Sequence, residues 1–551
     1  MLPSPVPSPP RVLEDQTNTP KRHRPSSPSP FSKNGPLPTP PLSLRKPTSN
    51  AVHTSPTKRR RIVPEKEEEE EEELLDDDDV SSSEEEEDDE DFFMSHRGGA
   101  SRPRSTFRML DDAYTSRPGS IFQRTQLSTL PILKSFVSSE KTDVYRFTAV
   151  DTDDTFSPAY VCAYSNSSKQ GSHQKLAVAT EEGSIQIVDT SKRNPWDTDP
   201  HRIVSIPHQN GIFDIKWSFD DTRLVTASGD QTARITDVVT STPTHRLIGH
   251  SSTVKCVQWD PSHPQLLSTG GRDGNICIWD LRLSARRGGE GEVMDPVIVI
   301  GGAHEERGGG RRKRAKGGPS ARSVTALVYS QQNPHHIVSA GTFDGILHAW
   351  DIRLPSTRRK STLSKPTKPK SSSLPVYSTP TDPTSLGTAR RARGISSMTL
   401  NPTDSTTLYA LGADSLIHKY SMGSLTAYQD SAAQSTCYSH PELAGNSFYL
   451  RLAMSPCGRW LATGRAAGAL SAGTAQGSIF LFDTAGPRRE GVVLRGSQAG
   501  EVGGLDWGGD GTLAACGDDG TVRVWRTDEE QWVRCLEDEG DNEHLWSWVK
   551  E

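Results

Sequence analysis

From about residue 155 to residue 526, short β-branched and aromatic runs alternate with turns rich in Gly, Asp, Ser and Asn. LAVAT, RLVTAS and GILHAW are too short for helices and are bounded by turn residues, so they read as strands. One spacing orders them. A turn Asp stands six residues before a Trp at Asp273 and Trp279, at Asp344 and Trp350, and at Asp519 and Trp525. The same step joins Asp414 to Tyr420 and Asp230 to Thr236, and degenerate versions join Glu182 to Val188 and Gln476 to Phe482. Seven units result, ending at residues 188, 236, 279, 350, 420, 482 and 525.

The intervals between these ends are 48, 43, 71, 70, 62 and 43 residues. A four-stranded propeller blade takes about 40–45 residues. The long intervals therefore hold insertions, two of them low-complexity segments at about 284–321 and 355–392 and the third within 421–446. The pattern predicts an all-β fold, a seven-bladed WD-repeat β-propeller over 155–526, which leaves only short protected strand edges. Closing the ring needs a strand from outside the seven units, and either Val144–Val150 or Gln531–Leu536 fits. Residues 121–154 then connect tail to ring, and 527–551 form a short C-terminal tail.

The polar residues of the repeat carry the second signal. Gly249-His250, Asp273 and Trp279 are spaced as the hydrogen-bonded set that ties a blade together, and His304, Asp344 and Trp350 repeat it with Ala303 in place of the Gly. His208 and Asp230 repeat it with Thr236 in place of the Trp, and Asp519 and Trp525 mark the last blade. Recurrence at blade period makes these His and Asp residues structural, since buried polar groups in a sheet protein need partners. No Gly-x-Ser-x-Gly elbow, phosphate loop or His-Glu-x-x-His occurs, so no catalytic residue, cofactor or metal site is expected.

Composition adds what lies outside the ring. Apolar residues are 32% of the 551, low for a wholly packed chain. Residues 1–120 read as a disordered tail, Pro- and Ser-rich with basic clusters, then acidic. The cluster Lys58-Arg59-Arg60-Arg61 resembles a nuclear localisation signal, and the expected location is the nucleus. Thr19 and Ser55 each precede a Pro and a basic residue, as in proline-directed phosphorylation sites; phosphate there would offset the neighbouring positive charge. Residues 65–91 hold 20 Asp or Glu and one Lys; the remainder has 62 Lys and Arg against 50 Asp and Glu, so the net charge of −7 conceals a mildly basic chain. The acidic run repels itself, and serves as a spacer or binds basic proteins such as histones. The insertion residues Arg311, Arg312, Lys313, Arg314 and Lys316 are suited to non-specific DNA contact, a second import signal or a solvated loop. The seven cysteines are scattered with no Cys-x-x-Cys pair, which argues for a reducing compartment. No apolar run reaches bilayer-spanning length, so no membrane association is expected, and the start MLPSPVPSPPRV lacks the apolar stretch of a secretory signal.

The Trp and Asp of Trp279-Asp280-Leu281-Arg282 and Trp350-Asp351-Ile352-Arg353 count blades, but the fold does not require the Arg. Paired endings of this form on successive blades resemble the motif by which propeller substrate receptors dock on the damaged-DNA-binding adaptor of cullin-4 RING ubiquitin ligases. The strings LAVATEEGSIQIVDT, GIFDIKWSFDDTRLVTASGDQTARITD, STGGRDGNICIWDLR and VSAGTFDGILHAWDIR are similar to the denticleless-type receptors of that ligase, as is the basic insertion between blades 3 and 4. The resemblance is strong over about 170–353 and weaker over 393–526. It implies an adaptor-binding set of Trp279, Asp280, Arg282, Trp350, Asp351 and Arg353. Cullin-4 and the RING subunit would be reached through the adaptor. The implied substrates are proteins held on the sliding clamp, such as the licensing factor and cell-cycle inhibitors, marked for the proteasome. Catalysis would belong to other subunits. No Gln-x-x-aliphatic-x-x-aromatic-aromatic box occurs, so direct clamp binding is not expected. The alternative is a chromatin-associated scaffold binding histones through the acidic tail or the propeller.

Overall fold

The computed structural model describes residues 129–150, 156–194, 196, 201–288, 291–305, 322–353, 374–385, 391–428, 437–466, 476–485, 491–542 and 544–550. The expected tail over 1–120, with its acidic run, lies outside these residues, as do the basic insertion residues 311–316.

Seven sheets follow one another along the chain, antiparallel throughout except where Gly291–Met294 pairs parallel with Pro243–Ile248. Blade 1 is Ala159–Tyr164, Lys175–Thr180, Ile185–Asp189 and Arg202–Ser205; blade 2 is Ile212–Trp217, Arg223–Ser228, Thr232–Asp237 and Pro243–Ile248. Blade 3 is Val254–Trp259, Leu266–Gly271, Ile276–Asp280 and Ile298–Ile300; blade 4 is Val324–Tyr329, His336–Gly341, His348–Asp351 and Tyr377–Ser378. Blade 5 has Ile395–Leu400, Thr407–Gly412 and Ile417–Ser421, edged by single bridges to Ala427 and Tyr438. Blade 6 is Leu452–Met454, Trp460–Gly464, Gln476–Asp483 and Val492–Ala499. Blade 7 begins with Val502–Trp507, Leu513–Gly517 and Thr521–Thr527. The first strands of successive blades touch in a closed circuit, blade 7 packing back on blade 1.

The seven unit ends fall on the seven third strands. Gln476, read as a degenerate turn, instead opens its strand. Three strands lie within the expected insertion at 284–321. Arg286–Gly288 and Gly291–Met294 form a hairpin that extends blade 2, and Ile298–Ile300 is the outer strand of blade 3.

The apolar core of the described residues is divided as the fold requires: seven clusters each lie between two neighbouring blades, and an eighth, of Val137, Cys535 and Trp548, lies under the closing strands. Val225, Ile235, Trp259 and Trp279 join blades 2 and 3; Cys256, Ile278, Leu327 and Trp350 join 3 and 4; Trp460, Leu481, Trp507 and Trp525 join 6 and 7. Each fully buried Leu, Ile or Phe contributes roughly 1.5–3 kcal/mol.

Closure uses the N-terminal alternative and adds the C-terminus. Val144–Arg146 and Phe136–Ser139 both pair with Thr521–Thr527, and Trp546–Trp548 pairs outside Phe136–Ser139. Gln531–Leu536, the other candidate, is helical within Glu529–Glu537, started by the Asp528 side chain on the Gln531 N–H. The segment read as a short tail therefore carries a helix and an edge strand. Arg523, fully buried, clamps the three strands: it lies 2.7 Å from Glu140 and donates to Ser547 Oγ at 3.1 Å.

Candidate functional site

In blade 3 the polar set forms a complete relay. His250 Nδ1 lies 3.1 Å from Asp273, its Nε2 lies 2.8 Å from Thr269 Oγ1, and Trp279 Nε1–H donates to the same hydroxyl at 2.9 Å. With Nδ1 protonated, the Thr269 hydroxyl donates to Nε2, and every donor has an acceptor. Burial pushes the Asp273 carboxyl up, but bonds from His250 and the backbone of Ser251 and Asn275 outweigh it and hold it below the usual range.

The other blades depart from this set in ways the sequence hides. Blade 2 keeps His208 on Asp230 and Thr226, each at 2.8 Å, while the buried Thr236 hydroxyl has no partner. Blade 4 joins His304 to Ser339 at 3.0 Å and Trp350 to Ser339 at 2.9 Å. Asp344 does not complete it, because His304 Nδ1 has no hydrogen-bond partner. The turn is held differently there: Asp382 accepts from the Gly345 N–H at 3.1 Å, and the His348 ring lies 4.7 Å from His304. Burial, with His348 and Arg322 nearby, pulls the His304 pKa down to about 3. In blade 7, Asp519 caps Thr521, but Ala515 stands where Thr269 stands in blade 3 and Trp525 Nε1 is left without a partner. Blade 5 has a set the sequence reading missed. His418 joins Asp414 at 2.8 Å and lies 3.3 Å from Cys437 Sγ. Burial pulls His418 down, but these two partners raise it to about 9.

Strand register sorts the loops into two ends. Leu266 pairs with Asp280 and His336 with Asp351, so the turns holding Arg282 and Arg353 lie beside the turns that follow the first strands. The entries to the first strands lie at the opposite end, where Val254 pairs with Gly271. Trp279 and Trp350 are buried, so their side chains offer nothing to an adaptor; their place is in the blade relays. The surface part of each ending is the Arg. The Arg282 and Arg353 side chains are 64% and 62% exposed, those of Asp280 and Asp351 only 15% and 10%. Arg282 donates from Nε and Nη2 to the two Asp280 oxygens at 2.8 and 2.7 Å; Arg353 does the same to Asp351 at 3.1 and 2.8 Å. These bonds hold Asp280 low and bring Asp351 to about 2.

At the corresponding place in blade 2, after Asp237, stands Val239, 86% exposed. Leu283 beside Arg282 is also exposed. An apolar residue in register with the two arginines was not singled out by the sequence reading, although its offset from the Asp would have found it. Lys58, Arg59, Arg60, Arg61, Thr19 and Ser55 lie outside the described residues. Among the described residues no group of His, Cys, Asp and Glu is arranged to hold a metal ion.

The repeat family described as WD domain, G-beta repeat matches residues 201–237, 241–280 and 489–526. Each match starts on the outer strand of one blade and ends on the third strand of the next. That offset leaves blade 7 without an outer strand of its own, which residues 136–146 supply. Cell division cycle protein cdt2 of Schizosaccharomyces pombe is 30% identical over 363 residues, 64% of this chain and 66% of that protein. Denticleless protein homolog A of Xenopus laevis is 32% identical over 383 residues, covering 67% of this chain and 48% of its own length. The chain is a denticleless-type WD-repeat protein. The human denticleless protein homolog is 28% identical over 388 residues, 46% of its length. The chain thus spans about half the length of the vertebrate denticleless proteins it matches.

Proposed function

We propose that this denticleless-type protein is a substrate receptor of a cullin-4 RING ubiquitin ligase acting in the cell cycle. It docks on the damaged-DNA-binding adaptor through Arg282 and Arg353. The observation that carries the reading is the repeated fork: two exposed arginines on successive blades, at the same end of the strands, each held by its own Asp. A guanidinium fork presents directional donors that a lysine lacks, which suits it to polar acceptors on a partner. Val239 and Leu283 add apolar surface at that end. The names of the relatives, cdt2 and denticleless, support the same reading. The chain supplies no catalytic group; it raises the local concentration of substrate lysines near the charged conjugating enzyme. Clamp-bound replication proteins are the substrates this reading implies, reached after nuclear import through Lys58–Arg61.

The test is affinity purification from replicating cells, comparing the intact chain with Arg282→Ala/Arg353→Ala. Loss of the adaptor and cullin from a variant that still melts cooperatively is the expected result. Undiminished recovery of the adaptor would overturn the docking assignment.

A further inference from the structure

At the end of the channel opposite Arg282 and Arg353 lies a cavity of about 320 Å³, within the range of small recognition pockets. Its wall is aromatic. Tyr160 stacks on Phe213 with centroids 5.8 Å apart, Tyr449 lies 4.9 Å from Tyr160, and Phe448 lies 6.0 Å from Phe213. The Lys255 ammonium sits over Phe213 at 4.2 Å and over Phe448 at 3.7 Å. Arg451, entering blade 6, reaches across to donate to the carbonyl oxygens of Phe213 in blade 2 and Lys255 in blade 3, so the wall is tied across the channel.

The charges there are uncompensated. Among the described residues no carboxylate pairs with Lys255, Arg272 or Arg451. Burial, then Arg451 and Arg272, bring the Lys255 pKa down to about 8, the direction expected of a half-buried cation crowded by cations. Around Tyr160 and Tyr449, on the blade 1 and blade 7 side, stand Glu181 and Asp518. The mouth is therefore cationic over blade 3 and anionic across from it. A continuous phosphate backbone would be repelled by that second rim, whereas a peptide places one acidic residue at one side only.

We infer that this cavity is a peptide-recognition site for an acidic residue adjoining an aromatic one, the carboxylate meeting Lys255 and Arg272 and the ring packing onto the aromatic wall formed by Phe213, Phe448 and Tyr449. That the peptide belongs to a recruited protein rests on the receptor reading; the binding itself does not. Opposite charge in a half-desolvated aromatic setting favours the acidic side chain, and ring-on-ring contact supplies the apolar part.

The experiment is fluorescence anisotropy with the full chain and a labelled ten-residue peptide containing Asp-Glu-Phe, against versions carrying Lys-Lys-Phe and Asp-Glu-Ala. The acidic-aromatic peptide is expected to bind, each altered peptide to bind on the order of tenfold or more weakly, and added salt to weaken the complex. Lys255→Glu should abolish binding and the exposed Arg272→Glu should weaken it, both with an unchanged circular dichroism spectrum. No binding of the Asp-Glu-Phe peptide, equal binding of the Lys-Lys-Phe peptide, or tighter binding of a single-stranded oligonucleotide would each overturn the inference. Arg282→Ala/Arg353→Ala should leave peptide binding intact, and Lys255→Glu should leave adaptor recovery intact, so the two claims fail separately.

Discussion

Arg282 and Arg353 hold the same pose on adjacent blades, each laying Nε and Nη2 on the carboxylate two residues before it. Neither Nη1 has a partner among the described residues. The two Asp residues thus aim the forks and leave Nη1 of each for the proposed docking contact. Asp280→Asn with Asp351→Asn keeps the shape of the turn but breaks the paired contact. Adaptor affinity is expected to fall by about three- to tenfold through lost preorganisation, less than the double Arg change costs. Surface plasmon resonance against immobilised adaptor measures the difference.

Val239 occupies the same offset in blade 2 and is exposed. Val239→Asp should weaken adaptor binding without altering the melting temperature, because the side chain is almost fully exposed among the described residues. A wild-type affinity would remove blade 2 from the docking face.

The blade relays make a contrasting pair of stability predictions. Thr269→Val leaves His250 Nε2 and Trp279 Nε1 without partners and should cost about 2–4 kcal/mol in urea denaturation. Thr236→Val removes a buried hydroxyl that has no partner and should be neutral or gain about 1 kcal/mol.

Blade 7 offers a gain. Ala515→Ser places a hydroxyl where Thr269 stands in blade 3, beside the unpartnered Trp525 Nε1–H. Stability should rise by about 0.5–1.5 kcal/mol, read from the thermal midpoint.

Two histidines set opposite pH limits. His304 takes a proton near 6.5 when unfolded but only at about 3 when folded, so the unfolded chain binds more protons in between and stability falls as pH drops below 6.5. His418 is raised to about 9 when folded; its contribution is fully present below 6.5 and is lost as pH rises through 9. The urea midpoint should therefore peak around neutrality. His304→Gln should flatten the acid side alone, and His418→Gln the alkaline side alone.

The blade count was legible because each blade encodes itself. The six-residue step from Asp273 to Trp279 spans one turn and one strand, and neither depends on a distant residue. The same locality limited the reading of the site. Trp279 and Trp350 stood in the motif with Arg282 and Arg353, yet a blade face decides which of them is buried, and only the arginines reach solvent. The His304, Asp344 and Trp350 spacing matched that of blade 3, but His348 and Asp382, which no period links to it, redirect the contacts.

By itself the sequence determined seven repeats, the complete polar set of blade 3 and the paired arginines, since short-range alternation and turn chemistry specify strands and their order. The tertiary structure decided how the ring closes and what gathers at its centre. Closure joins Val137 to Arg526 and to Trp548, contacts far apart in the chain whose energy comes from completing a sheet. The Lys255 cavity draws on residues from 160 to 451, brought together only because every first strand lines one channel.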